Sequence, residues 1–326
     1  MIFKLFNFFL LYRVSGALFD ASWEGMGNMF DIKYWSCLLK KSYSCPDNDI
    51  KFYLYTAEEP SIQKRIDVRS NIALNAAGWD QTKNNAIIIH GFNGTHKSNP
   101  LKLLRKAYLD RGDHNVFMVE WHDLGRFPCY LSALSNLKLV SQCSAQLYAY
   151  IMNWGGMAVK TVCVGHSLGA HICGMMSNYL DVKQFKIVGL DPARPLINQF
   201  SDTTFRLSRE DAYNVQVVHT NAGLLGEEGA SGHVNFCING GMLQPGCKGN
   251  AIRRSRCSHF QSVCYFAQAV IDNRMFYGKP CTLSCPKRQS WGLLPGKEVA
   301  MGLTTPLYAR GQYCVQIDHD NDCVFQ

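Results

Sequence analysis

The stretch "TVCVGHSLGAHICG", residues 161–174, limits what this chain can fold into more than any other. A continuous apolar run leads into Gly165-His166-Ser167-Leu168-Gly169, and a run with helical spacing follows. The pentapeptide has the form G-x-S-x-G. On a sharp strand-to-helix turn its serine adopts strained dihedrals, and a side chain two residues to either side would collide with the neighbouring strand or helix. Ala170 and Gly174 keep that helix thin enough to lie close to the strand. Such a turn needs a buried strand feeding a helix, and the rest of the chain supplies that setting. Apolar, β-branched runs recur at "AIIIH" (86–90), "VFMVEW" (116–121), "KIVGLD" (186–191) and "VQVVHT" (215–220). Their unbroken apolarity fits strands buried on both faces. Helical spacing marks roughly 99–111, 132–153 and 168–180 between them. Strand and helix in alternation predict an α/β architecture, a mostly parallel sheet covered by helices. Beyond 275 the pattern turns Cys-, Gly- and Pro-rich with short strands such as "QYCVQI", and no linker marks a second domain.

A serine hydroxyl is a poor nucleophile near neutral pH and needs a base, which in turn needs an orienting carboxylate. In this architecture the chain order is Ser, Asp or Glu, then His. Asp191 ends "KIVGLD" and is followed by Pro192, which turns the chain at the edge where open α/β sheets bind ligands. Asp202 and Asp211 are the alternatives. Among ten histidines, His259 comes late, follows Asp191, and is read on a loop restrained by Cys257. His90 falls in the turn after the first apolar strand. His166 and His171 flank the serine and are expected to point away from it. His219 ends a strand and reads as a core or edge histidine. The turn in "IIIHGFNG" and the residue after the serine point to the backbone N–H groups of Phe92 and Leu168 as donors to a developing oxyanion. The other reading of Phe92 is simple core packing.

Beside His259, nine residues lie between Cys247 and Cys257, and they include Lys248, Arg253, Arg254 and Arg256. Over the whole chain, 33 basic against 25 acidic residues leave a formal charge of +8, which suits an anionic membrane surface or nucleic acid and discriminates weakly between them. Fourteen cysteines, most in polar or turn-like surroundings, predict an exported, disulfide-bonded protein. Cys163 and Cys173, in an apolar strand and on the helix after it, are read as buried thiols. Residues 1–17, "MIFKLFNFFLLYRVSGA", read as a secretory signal interrupted by Asn7 and Arg13, the alternative being an amphipathic terminus. Residues 18–326 are then expected as a single domain with a disulfide-rich C-terminal part. No stretch reaches the 18 or so apolar residues that a membrane span needs.

In order along the chain, "IIIHGF", "GHSLGAH", "GLDPARP" and "GHVNFCINGGMLQPGC…CSH" resemble the pancreatic lipase family, and the resemblance runs from about residue 45 to 326. It implies the α/β-hydrolase fold, with Ser167 as nucleophile, Asp191 as acid, His259 as base, and Phe92 and Leu168 as oxyanion donors. Four departures from the family pattern stand out. The chain ends before a C-terminal β-sandwich, so no colipase-like partner is expected. The segment that a Cys247–Cys257 bridge is expected to close is nine residues, where family lids exceed twenty. "NAGLLGEEGASGHVNF" is also short. Ser208 replaces an aspartate of the family's calcium loop, so neither metal nor other cofactor is expected. This combination is similar to the phospholipase A1 branch, including secreted arthropod and venom enzymes. A monomer working on lipid at a membrane or micelle surface is expected, with no nucleic-acid partner. The alternatives are a neutral-lipid or galactolipid lipase and a non-catalytic lipid-binding relative. The resemblance also implies a Cys45–Cys129 bridge, whereas pairing among Cys237, Cys264, Cys281, Cys285, Cys314 and Cys323 is not readable. Asn93-Gly94-Thr95 is the one glycosylation pattern, and a glycan there would have to point outward.

Overall fold

A computed structural model describes residues 37–197, 203–271, 276–281, 285 and 295–317. The expected signal segment 1–17, Asp202 and Cys323 lie outside these residues. Among them, eleven strands form one sheet: β1 (Lys51–Tyr55), β2 (Lys64–Ile66), β3 (Asn84–Ile89), β4 (His114–Glu120), β5 (Thr161–His166), β6 (Gln184–Leu190), β7 (Ala212–His219), β8 (Val234–Ile238), β9 (Phe276–Pro280), β10 (Val299–Met301) and β11 (Gly311–Val315). Their order is β10-β9-β11-β8-β7-β6-β5-β3-β4-β1-β2. From β4 to β11 the strands run parallel, and antiparallel pairs finish both edges.

The unbroken apolar runs fall on these central strands because both faces of the sheet are covered. Ile87 and Ile89 enter one core and Ala86 and Ile88 the other, as the two-residue period of a strand requires. Helices α1 (Ala73–Ala76), α3 (Tyr130–Asn153) and α4 (Leu168–Met175) contribute to the first core, and α2 (Asn99–Asp110) and α5 (Ala251–Val270) to the second. Along α3 the buried Leu134, Leu137, Val140, Ser144, Leu147 and Ile151 recur every three or four residues, which keeps one stripe against the sheet. The three expected helical stretches are present, the last continuing past Met175 as a 3₁₀ turn to Tyr179.

Helix α5 overturns one expectation. His259 lies on this helix and not on a loop, and the segment between Cys247 and Cys257 is already helical from Ala251. The side chain of Asn250 caps the helix by accepting from the Arg253 N–H at 2.9 Å. The sequence hid the helix because its first turns bury Ser255, Ser258, His259 and Gln261, polar residues that leave no apolar stripe to read.

The disulfides bring two further corrections. Cys163 and Cys173 are bonded, not free thiols: strand alternation turns Cys163 toward the face that α4 covers, leaving the two Cα atoms 5.8 Å apart in the core. Cys45 pairs with Cys143, and Cys129 pairs with Cys37. Cys129 and Cys143 sit 14 residues apart at the start and middle of α3, about 20 Å along its axis, so the segment 37–45 is stapled to the helix at two levels. Cys247–Cys257 forms as expected, Cys237 pairs with Cys285 and Cys281 with Cys314, and Cys264 is disulfide-bonded too. Replacing Cys163 and Cys173 together by alanine should lower the unfolding free energy by about 3 kcal/mol, the chain-entropy value for so short a loop. Urea titration with thiol counting checks this; unchanged stability would mean that the bridge contributes nothing.

Candidate active site

Ser167 stands between β5 and α4 with φ 57° and ψ −122°, a region that a non-glycine residue occupies only under constraint. The constraint is the approach of three backbones. A Cβ at Gly165 would lie 2.1 Å from the Gly169 carbonyl oxygen, and one at Gly169 would lie 2.2 Å from that of Ile89. The Ser167 N–H donates to Leu190 O at 3.0 Å, which ties the turn to the end of β6. The turn after β3 closes in from the other side: a Cβ at Gly91 would stand 2.6 Å from that of Ser167. Leu168 opens α4, so its N–H is among the amides presented by the helix N-terminus. The Phe92 ring meets Tyr130 edge-on at 4.9 Å, which is the packing of the alternative reading, and its backbone follows Gly91 in the turn beside the serine.

Asp191, immediately after β6, is completely buried, with φ 45°. Its carboxylate is fully engaged: Oδ1 accepts from the Thr220 and Asn221 N–H groups at 2.8 and 3.0 Å, and Oδ2 accepts from His259 Nδ1 at 2.6 Å. Asn221 extends the link to α5, since its Oδ1 accepts from the Ser255 hydroxyl at 2.7 Å. Gln244 holds the helix again, donating its N–H to Ser258 Oγ at 2.9 Å. His259 is therefore fixed through its own ring and through two serines on its helix. Ser167 and His259 retain 8% and 6% exposure, so both reach the surface through a small opening.

The flanking histidines divide. His171 does point away, set between Ala193 O at 2.7 Å and the Leu207 N–H at 3.0 Å under the Asp191 turn. His166 does not: its ring lies 4.6 Å from that of His259 and donates to the His259 carbonyl at 3.2 Å. Burial, reinforced by the neighbouring His259, lowers the basicity of His166 well below the ordinary range, so it forms a neutral wall beside the other imidazole. His219 is buried at the end of β7. His90 is buried against Glu120, a pairing that sequence reasoning missed. The available signal was a lone acidic residue closing the apolar run "VFMVEW".

Asp211, the alternative carboxylate, accepts from the Ser208 N–H at 2.7 Å and from Ser177 Oγ at 3.3 Å, and so holds a turn away from His259. Ser208 caps that turn in return, accepting from the Glu210 N–H. Among the described residues, no group of three or more His, Cys, Asp or Glu could hold a metal ion. Lys248, just before α5, and Arg253, Arg254 and Arg256 in its first two turns are all exposed. Asn93 is exposed, with its side-chain oxygen accepting from the Phe127 N–H at 3.1 Å.

Glu227 was also unforeseen. Its N–H donates to Pro192 O at 2.7 Å, and its side chain lines a cavity of about 450 Å³ behind the Asp191 turn, with Arg194, Arg206 and Arg209 on the walls. Oε1 is buried and has no hydrogen-bond partner among the described residues, and burial pushes the carboxyl up to about 7 against the pull of Arg206. A carboxyl raised above its usual 4.5 contributes stability that is complete below that value and is lost as pH rises through 7. Glu227→Gln should therefore exceed wild type by roughly 3 kcal/mol at most above pH 7, and match it below pH 4.5. Urea unfolding at pH 4.5 and 8.5 measures this, and parallel profiles for the two proteins would refute it.

Together these residues place a hydroxyl on a strained turn, an imidazole oriented by a buried carboxylate, and helix-terminal amides at one sheet edge. That set suits acyl transfer: an alcohol attacks, the imidazole moves its proton, and amides receive the negative charge. A family model described as Lipase matches residues 26–293. Lipase member H-A of Xenopus laevis is 32% identical over 237 residues, covering 71% of this chain and 51% of that protein. Pancreatic triacylglycerol lipase of Homo sapiens is 27% identical over 298 residues, covering 83% and 63% respectively. Pancreatic lipase-related protein 2 of Mus musculus is 27% identical over 299 residues, covering 84% and 61%. The chain thus matches between half and two thirds of the length of these curated relatives.

Proposed function

The chain belongs to the lipase family, and on that premise we propose that it is a secreted serine esterase that cleaves the sn-1 ester of phospholipids. The observation that carries the esterase part is the 2.6 Å hydrogen bond from His259 to the buried Asp191, beside the strained turn of Ser167. In this mechanism Ser167 Oγ attacks the ester carbonyl while His259 takes its proton. The N–H groups of Phe92 and Leu168 receive the oxyanion, each contributing about 3–4 kcal/mol to the transition state. His259 then returns the proton to the departing lysophospholipid oxygen, leaving an acyl group on Ser167. Water, activated by the same imidazole, releases the fatty acid and restores the hydroxyl.

The choice of phospholipid rests on the segment closed by Cys247–Cys257. Nine residues, two thirds of them already helix, offer no long amphipathic lid to swing across the serine and line it with apolar wall. A charged headgroup can then stay solvated while the acyl ester reaches Ser167. The relatives do not decide the substrate, because their names include both a lipase member H and a triacylglycerol lipase. Export agrees with six disulfides lying wholly among the described residues, since such bonds persist in oxidising compartments. The protein acts as a monomer at the lipid surface, without cofactor or protein partner.

Three measurements test this reading. A fluorophosphonate probe should label wild type and leave Ser167→Ala unlabelled, with hydrolysis falling on the order of 10⁶-fold in that variant. Equal labelling of both proteins would remove the esterase assignment. Fatty acid release from sn-1-labelled phosphatidylcholine should exceed that from triolein, and the reverse order would make the protein a neutral lipase. Changing Lys248, Arg253, Arg254 and Arg256 together to glutamine should weaken partition onto anionic vesicles by up to about three orders of magnitude. Unchanged partition would reduce those four side chains to a solvated helix end.

A further inference from the structure

We propose that Glu120 is the positioning residue of the oxyanion turn, the group that fixes where the Phe92 N–H points. The inference rests on the reading of Ser167 as nucleophile and adds a residue to it. Glu120 ends β4, the parallel neighbour of β3, and Val119 lies in register with Ile89, so its carboxylate stands beside the point where His90 begins the turn. From there it binds both ends of that turn. Oε1 accepts from His90 Nε2 and from the His122 N–H, each at 2.9 Å. Oε2 accepts from Thr95 Oγ1 at 2.6 Å, from the His96 N–H at 3.1 Å, and in a short contact from His96 Nδ1. One carboxylate therefore closes residues 90–96 into a ring with Gly91 and Phe92 on its far side, and the Gly94 N–H donates across the ring to Gly91 O at 3.1 Å.

The surroundings leave this group little freedom. His90 stacks on Trp121 at 5.3 Å, and Trp121 Nε1 donates to His90 O at 2.9 Å. His96 stacks on Tyr53 at 4.6 Å. Burial would favour the neutral acid, but the hydrogen bonds from His90 and His96 outweigh it and hold the Glu120 carboxyl well below the usual carboxylate range. It therefore stays an acceptor at both oxygens throughout the pH range of an esterase. An amide in its place would aim N–H groups at donors, and one end of the turn would lose its anchor. The effect reaches the chemistry because the turn abuts the nucleophile, with Gly91 and Ser167 at the limit of contact. An oxyanion donor works over a few tenths of an ångström, and a misplacement near 1 Å costs about 100-fold.

The test is Glu120→Gln in the full chain. It measures kcat and KM on a soluble p-nitrophenyl ester, the affinity of an alkyl boronic acid that forms a tetrahedral adduct, and thermal melting. The expected result is a kcat lower by about 100-fold, a KM within about threefold of wild type, and boronate affinity falling in step with kcat. Glu120→Asp, which keeps a carboxylate, should recover part of the loss in both. The proposal is overturned if Glu120→Gln keeps kcat within threefold, or if boronate affinity holds while activity falls. Should Glu120→Gln fail to fold, His96→Gln decides, because that side chain meets Glu120 without meeting the serine. A roughly tenfold loss in kcat with KM unchanged supports the clamp, and wild-type kcat refutes it. Failure of the parent reading looks different: wild type itself would hydrolyse no ester and take no fluorophosphonate.

Discussion

The Asp191 carboxylate has no contact with solvent, and a buried charge survives only if every acceptor site finds a donor. Two of its donors are backbone N–H groups in the turn after β7, and the third is the imidazole of α5. Meeting that demand obliges the β7 end and α5 to converge on the end of β6. The polar first half of α5 follows from the same requirement, since Ser255 and Ser258 bond Asn221 and Gln244 where an ordinary helix would press apolar residues. The helix is thus docked by hydrogen bonds at its functional end and by Val263, Phe266, Ala267 and Val270 at the other. Rotation about its axis is restrained where accuracy matters most.

Parallel pairing does the remaining assembly. Because β3, β5 and β6 run the same way and sit side by side, the turns that follow them open on one rim: His90 to His96, Ser167, and Asp191. Each strand delivers a different element of the chemistry, and the sheet sets the spacing among them. A second carboxylate, Glu120 on β4, does for the first turn what Asp191 does for the imidazole. The serine turn needs no such anchor, because its shape is forced by backbone contact at Gly165 and Gly169.

Near the rim, the Cys247–Cys257 bridge ties a basic segment to the helix that holds His259. Surface charge and the imidazole are therefore mechanically continuous, whereas a long hinged lid would separate them. Four of the bridges among the described residues confine segments that the sheet alone does not hold: the stretch 37–45 along α3, and the Cys-rich region near β11. The N-terminal pairing departed from the expected one because Cys37, outside the motifs that carry the family resemblance, competes for Cys129.

Local chemistry accounts for what could be read from the residues alone. A strand buried on both faces must be continuously apolar, and a G-x-S-x-G turn must have small neighbours, so β3 to β7, α2 to α4 and the position of Ser167 are written in nearest-neighbour pattern. Asp191 and His259 were legible as well, through chain order and the family motifs. The remainder depends on contacts between distant segments. That α5 is a helix was masked by polar residues whose partners, Asn221 and Gln244, lie in other loops. The bonding of Cys163 to Cys173 followed from which face of β5 the helix covers. That Glu120, His90 and His96 share one carboxylate, and that His166 stands against His259, appears nowhere in the order of residues. A chain's own pattern records burial and turn geometry because these act within a few residues. Which buried polar group meets which is settled only when the sheet brings its strand ends together.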